Sequence, residues 1–170
     1  TNVWHDIQKP ISSDDVCGKT LTLAFSYHTR IKSELFANNC RDKIVLDIGS
    51  GKGGDINSWK SVSKIYCIEP NLDNLEELKM RRIESSITNK ISFFNLYGEE
   101  SLKIRSSIEQ NVNVVAIMLS TSFFWKSPSK MLDLIRTILL CSEEKSKIIF
   151  MSINGEHLME KFNETEYEEY

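Results

Sequence analysis

Two rhythms of apolar residues alternate along this chain. From about Thr20 to Asn38, Leu21, Phe25, Ile31, Leu35 and Phe36 recur at roughly helical spacing, which predicts a helix. In KIVLDIG, residues 43–49, Ile44, Val45, Leu46 and Ile48 leave no polar face, as expected of a parallel strand buried on both sides. A glycine-rich loop follows, then a short predicted helix over 55–60. KIYCIEP (64–70) reads as a second strand, stopped by Pro70. The next segment sets Leu72, Leu75, Leu78 and Ile83 on one predicted helical face, with Asp73 near its start. ISFFNL (91–96) and VNVVAIMLS (112–120) are the third and fourth strands. An amphipathic helix over 127–144 opens at Pro128, and SKIIFMSIN (146–154) is the fifth strand.

Strand and helix in alternation predict an α/β fold, a mostly parallel sheet with helices on both faces. In such a sheet ligands bind beyond the carboxyl ends of the strands, near the reversal of strand order. The expected domain covers residues 20–162. An extended polar arm, punctuated by Pro10 and Gly18, is expected over 1–19, and a frayed acidic tail over 163–170.

Composition adds mainly exclusions. A length of 170 residues suits one domain, and a net charge of −3 gives no global basic field to attract nucleic acid. Cys17, Cys40, Cys67 and Cys141 are widely spaced and form no CxxC pair, so neither a zinc site nor a disulfide framework is expected, and a reducing compartment is the simplest setting. No apolar run is long enough to span a membrane, so none is expected as a partner.

The candidate chemistry centres on the loop Gly49-Ser50-Gly51-Lys52-Gly53-Gly54, four glycines in six positions. It matches GxGxxG literally, which alone is a weak signal for a dinucleotide. It is not a phosphate-binding P-loop, lacking the Lys-Ser or Lys-Thr after the second glycine. Asp47, inside the strand just before the loop, would repel a pyrophosphate and attract a cation; S-adenosylmethionine (SAM) carries an ammonium and a sulfonium. Glu69, 22 residues beyond Asp47, stands where a carboxylate can accept both hydroxyls of a ribose. A dinucleotide and a purely structural turn remain the alternatives to SAM.

With Lys52 and Asp55 included, LDIGSGKGGDINSW resembles the loop of mRNA cap guanine-N7 methyltransferases, usually D-L-G-x-G-K-G-G-D. YHTRIKSELF (27–36) is similar to that family's helix bearing I-K-S, and IEPNLDNLEELKMRR to its acidic strand end and arginine-bearing helix. The resemblance covers roughly residues 25–155 and looks nearest to the methyltransferase domains of large-DNA-virus capping enzymes, of asfarvirus or mimivirus type. It implies a Rossmann-like SAM-dependent methyltransferase fold with S-adenosylmethionine as cofactor. The chain departs from the family at His28-Thr29 for His-Asn, at Leu119-Ser120-Thr121-Ser122-Phe123-Phe124 for Q-F-x-x-H-Y, at Gly98-Glu99 for an adenine-facing Asp, and at Ile153 for Pro. The family continues into a hairpin that completes the sheet, so the domain is expected to be truncated after the fifth strand.

On this resemblance Lys32 anchors the cofactor carboxylate, and Asp47 binds its amino group or organises the loop formed by Gly49, Ser50 and Gly51. Asp55 contacts the cofactor or caps the next helix. Glu69 and Pro70 serve the ribose; Tyr97, Gly98 and Glu99 border the adenine; Leu119 and Ser120 line the methionine side. Lys52 and Arg81 would meet the cap triphosphate, and Phe123 and Phe124 would stack on the methylated guanine, which becomes cationic. Taken as residues alone, lysines and arginines on helices are solvated, and Leu119 and the two phenylalanines are core.

Guanine N7 has a free lone pair and no proton to lose, so its methylation needs no general base, and no His-Asp, Cys-His or paired-carboxylate set stands out; no catalytic residue and no metal is expected. The expected partner is the capped 5′ end of mRNA, with further capping modules on a longer polypeptide, a stimulatory subunit as an added expectation, and a cytoplasmic or virion location. A catalytically silent RNA- or subunit-binding module and a SAM enzyme with another acceptor are the rival functions.

Overall fold

The computed structural model describes residues 22–152 with Asn154 and Glu156; the expected arm and tail, His5, Ile153 and His157 lie outside the described residues. Five strands form one sheet: β1 (Ile44–Ile48), β2 (Lys64–Ile68), β3 (Ile91–Phe94), β4 (Val112–Met118) and β5 (Ser142–Met151). Every pairing is parallel, in the order β3-β2-β1-β4-β5. The chain works outward from β1 to β3, then crosses back to lay β4 on the other side of β1. That reversal leaves a crevice where the loops after β1 and β4 diverge.

Among the described residues, four α-helices cover the sheet: α1 (Thr22–Asn39), α2 (Leu72–Glu84), α3 (Ser101–Ser107) and α4 (Pro128–Cys141). Alternation along each strand sorts the core into two layers. Val45, Ile65, Cys67, Val114 and Ala116 face Phe36 of α1 and Leu75 and Leu78 of α2. Leu46, Ile48, Tyr66, Ile68, Val115 and Ile117 face Ile104 of α3 and Leu134 of α4. Burial on both sides is why β1 and β4 read as unbroken apolar runs. Asn71 caps α2 by accepting from the backbone of Asp73 and Asn74, and Ser127 caps α4 with Pro128 in its first turn.

The structure revises four expectations. Residues 56–61 form a 3₁₀ helix instead of an α-helix; Ile56 and Trp59, three apart, are both buried. On α2 only Leu75 and Leu78 are buried; Leu72 and Ile83 sit about 60–80° round the helix from Leu75 and stay exposed. Helix α3 was not expected, since Ile104 alone of its apolar residues is buried in the core. Strand β5 begins at Ser142, directly after α4, with a register irregularity opposite Val112–Val114. Its Glu143-Glu144-Lys145 stretch lacks apolar alternation, which an edge strand tolerates. Among the described residues, no helix is long and apolar enough to cross a membrane.

Candidate functional site

The loops after β1, β2, β3 and β4 meet at one end of the sheet, and most of the sequence-predicted residues lie there. The β1–β2 ladder continues into the glycine loop, with Gly49 N and Ser50 N both donating to Ile68 O (2.9 and 3.2 Å). Gly49, Gly51 and Gly53 hold positive φ angles of 81°, 53° and 72°, a region that side chains rarely adopt. Two of these glycines are also packed. A Cβ on Gly49 would lie 2.5 Å from Ser120 Cβ, and one on Gly53 would strike Leu78 of α2. A Cβ on Gly51 would meet nothing within 4 Å, so there the backbone faces open space.

Glu69, directly after β2, is almost wholly buried and organises this turn. Its Oε2 accepts from Gly51 N (2.8 Å), and its Oε1 accepts from Asn71 N (2.9 Å) and Asn74 Nδ2 (3.2 Å). Pro70 follows, and Asn95 after β3 donates to the carbonyls of both Glu69 and Pro70. Across the loop, Asp47 is 2% exposed. Burial raises its carboxyl to about 7, with Asp55 and Glu69 pushing the same way and Ser50 and Lys32 opposing. Ser50 Oγ donates to Asp47 O (3.0 Å).

Lys32 reaches from α1 to Asp55, with Nζ 2.9 and 3.0 Å from the two carboxylate oxygens, in a largely buried pair. Asp55 makes no capping bond to the helix after it, so the capping role is set aside and the ion pair takes its place. Asp47, Asp55 and Glu69 are thus three carboxylates set against one ammonium. That surplus of negative charge suits a cationic ligand and disfavours a pyrophosphate.

Leu119 and Ser120 directly follow β4. Leu119 adopts φ 62°, strained for a branched side chain, and is partly exposed at the crevice. Ser120 is buried and donates to Ile48 O (2.6 Å), tying the β4 loop to β1. On the β3 side, Gly98 is wedged in place: a Cβ there would lie 2.5 Å from Ile48 Cγ2 and 2.6 Å from Phe124 Cζ. Its carbonyl accepts from Thr137 Oγ1 of α4 (2.7 Å), a buried residue that sequence reasoning missed because a threonine on a helix carries no motif. Thr137→Val should cost about 1–3 kcal/mol in chemical denaturation, by leaving that carbonyl without its donor. Tyr97 is exposed, and Glu99 is paired with Lys130 of α4, whose ammonium lies 5.9 Å from the Tyr97 ring centroid.

The residues expected at the cap are less well assembled. Lys52 and Arg81 both bind the Glu77 carboxylate (3.0 and 2.5 Å), and chiefly Lys52 holds its carboxyl below the usual range. Phe123 is 75% exposed, but Phe124 is 5% exposed and packs with Ile48, Leu134 and Ile117. Phe124 is therefore core and offers no face to a guanine, a correction to the expected aromatic pair. A 3₁₀ turn over Thr121–Phe124 points successive side chains about 120° apart, so the two rings cannot share one wall.

No family model matches this chain. A curated relative, the uncharacterized killer plasmid pGKl-2 protein 3 of Kluyveromyces lactis, is 28% identical across 85% of this chain and 22% of its own length. The chain thus spans less than a quarter of that relative. Among solved structures, the glycopeptide N-methyltransferase MtfA complexed with SAM is similar at a TM-score of 0.59 and 13% identity, covering 70% of this chain and 48% of its own. The CcbJ methyltransferase of Streptomyces caelestis gives 0.58 at 18% identity, over 70% and 47%. An rRNA methylase of Streptococcus thermophilus gives 0.51 at 15% identity, over 80% and 78%. This chain spans about half of the first two. What they share with it is the fold: a five-stranded parallel sheet flanked by helices, of the Rossmann-like kind found in SAM-dependent methyltransferases.

Proposed function

We propose that this chain is a SAM-dependent methyltransferase domain whose acceptor is N7 of the guanine cap of mRNA. One observation carries the cofactor reading: an open glycine turn held between two buried carboxylates, Asp47 and Glu69, at the crevice between β1 and β4. The residues fit the group. Glu69 Oε2 accepts only from Gly51 N and keeps an acceptor site for a ribose hydroxyl, the acidic surplus suits an ammonium and a sulfonium, and the Lys32 ammonium, paired with Asp55, would turn a remaining N–H to the cofactor carboxylate. When bound, SAM would supply a methyl group on a positively charged sulfur.

What remains for the protein is placement. Guanine N7 loses no proton, so no side chain has to act as a base, and holding the acceptor in line with the methyl carbon can contribute roughly 7–11 kcal/mol. Ser120 and Gly49 fix the crevice walls, while strained Leu119 would line the methionine side of the cofactor. The cap assignment is supported by the K-G-G-D loop and the Lys32 block, together with exposed Phe123. Linkage to other capping modules is part of this proposal and follows from the resemblance to capping enzymes.

The burial of Phe124 and the engagement of Lys52 and Arg81 by Glu77 favour a second reading, a SAM enzyme with a different acceptor. One experiment separates the readings. The protein is incubated with labelled SAM and unmethylated capped RNA, and the RNA is digested to locate the label. Label on N7 of the cap guanine is expected. SAM binding with no transfer to capped RNA would end the cap assignment, and no SAM binding would end the cofactor assignment too.

A further inference from the structure

Three bulky aromatics, Phe123, Phe124 and Trp125, follow one another where β4 hands over to α4. The 3₁₀ turn can send one of three neighbours inward, and here it is Phe124, seated against Gly98 and Ile48. Phe123 and Trp125 are left facing outward at 75% and 59% exposure, whereas Trp59 is fully buried. The turn that presents them is hydrogen-bonded, Phe123 N to Ser120 O and Trp125 N to Ser122 O. The backbone that presents the two rings is therefore set before any ligand arrives.

Charge beside the rings narrows what such a ligand is. Lys126 is exposed next to Trp125 and pairs with no carboxylate among the described residues. Lys130 adds a second ammonium in the first turn of α4, balanced by Glu99. Flat apolar faces alternating with cations suit a chain of alternating bases and phosphates. A duplex keeps its base faces inside the stack, so the match is to a single strand.

We propose that Trp125 and Lys126 form a subsite for single-stranded RNA, Trp125 stacking on an unpaired base downstream of the modified nucleotide and Lys126 meeting its phosphate. This subsite rests on the reading of the acceptor as capped RNA and extends it, giving the domain a hold on the RNA body distinct from Phe123 at the cap. It implies that a capped strand binds more tightly than a cap dinucleotide.

The test compares binding of a labelled cap dinucleotide and of a labelled capped RNA of about ten nucleotides to the whole chain by fluorescence anisotropy. Trp125→Ala is expected to weaken binding of the capped RNA about tenfold, with Trp125→Phe restoring most of it. Affinity for the dinucleotide and for SAM should not move. Lys126→Ala should lower the slope of log affinity against log salt by about 0.7, the signature of one lost phosphate contact on a single strand. Unchanged RNA affinity in both alanine variants would overturn the subsite, as would an equal loss for dinucleotide and RNA, which would move Trp125 into the cap pocket. A wild-type chain that binds SAM yet transfers no methyl to capped RNA would remove the acceptor reading and the subsite with it.

Discussion

Asp47→Asn is expected to stabilise the free protein above neutral pH while abolishing SAM binding. The buried Asp47 carboxyl titrates near 7 in the folded chain against an ordinary 3.8. Between those values the native state holds a proton that the unfolded chain has released, so stability falls as pH rises through this window. The full difference corresponds to about 4 kcal/mol at 1.36 kcal/mol per unit. An asparagine is neutral throughout and escapes that penalty. Denaturant melts of the variant and the wild type should converge near pH 4 and separate toward pH 8, with the variant the more stable. Calorimetry should show wild-type SAM affinity rising with pH and levelling off above 7, because a cation binds best once Asp47 is ionised, while the variant stays weak throughout. The groups facing Asp47 favour this outcome: Asp55 and Glu69 add negative charge, while the Ser50 hydrogen bond and the Lys32 ammonium oppose them without cancelling the effect of burial. A variant that bound SAM like the wild type would show that Asp47 is structural.

The tension in Asp47 explains how much of this site was legible in the sequence. A carboxylate inside an apolar strand, followed by glycines, is a departure from local rules, and such departures concentrate at sites of function. Asp47, the glycine loop and Glu69 could be found because each breaks a pattern that β1 or β2 otherwise keeps. Strand order could not be read so directly, yet the continuous apolar runs of β1 and β4 already required helices on both faces. What stayed hidden was set by tertiary geometry. Nothing local distinguishes Phe123 from Phe124; a single 3₁₀ turn decides which ring is core. Nor does sequence show that Lys52 and Arg81 converge on Glu77, or that Thr137 reaches Gly98 from a helix 39 residues away. The charged first half of β5 was missed for the opposite reason, since an edge strand needs no apolar alternation there.

The largest loss of stability is expected at Gly49. An alanine there must hold φ 81°, which costs an L-residue about 1–2 kcal/mol, and its methyl would sit 2.5 Å from Ser120 Cβ and 2.7 Å from Ser120 Oγ. Relieving that contact means parting the β1 and β4 loops, and overpacking of this kind adds about 1–3 kcal/mol. Gly49→Ala should therefore cost about 3 kcal/mol and weaken any ligand held in the crevice. The other glycines supply the scale. Gly51→Ala carries positive φ but no contact, so it should cost about 1 kcal/mol. Gly54→Ala has neither and should be within about 0.5 kcal/mol of wild type. Ser120→Gly removes the obstructing Cβ together with its hydrogen bond to Ile48 O, so it destabilises alone but should rescue part of the Gly49→Ala loss. Urea melts of the four single variants and the double variant measure this ladder. Equal losses at Gly49 and Gly51, with no coupling to Ser120, would mean that backbone conformation alone governs the turn and that the β1–β4 contact is not what holds the crevice in shape.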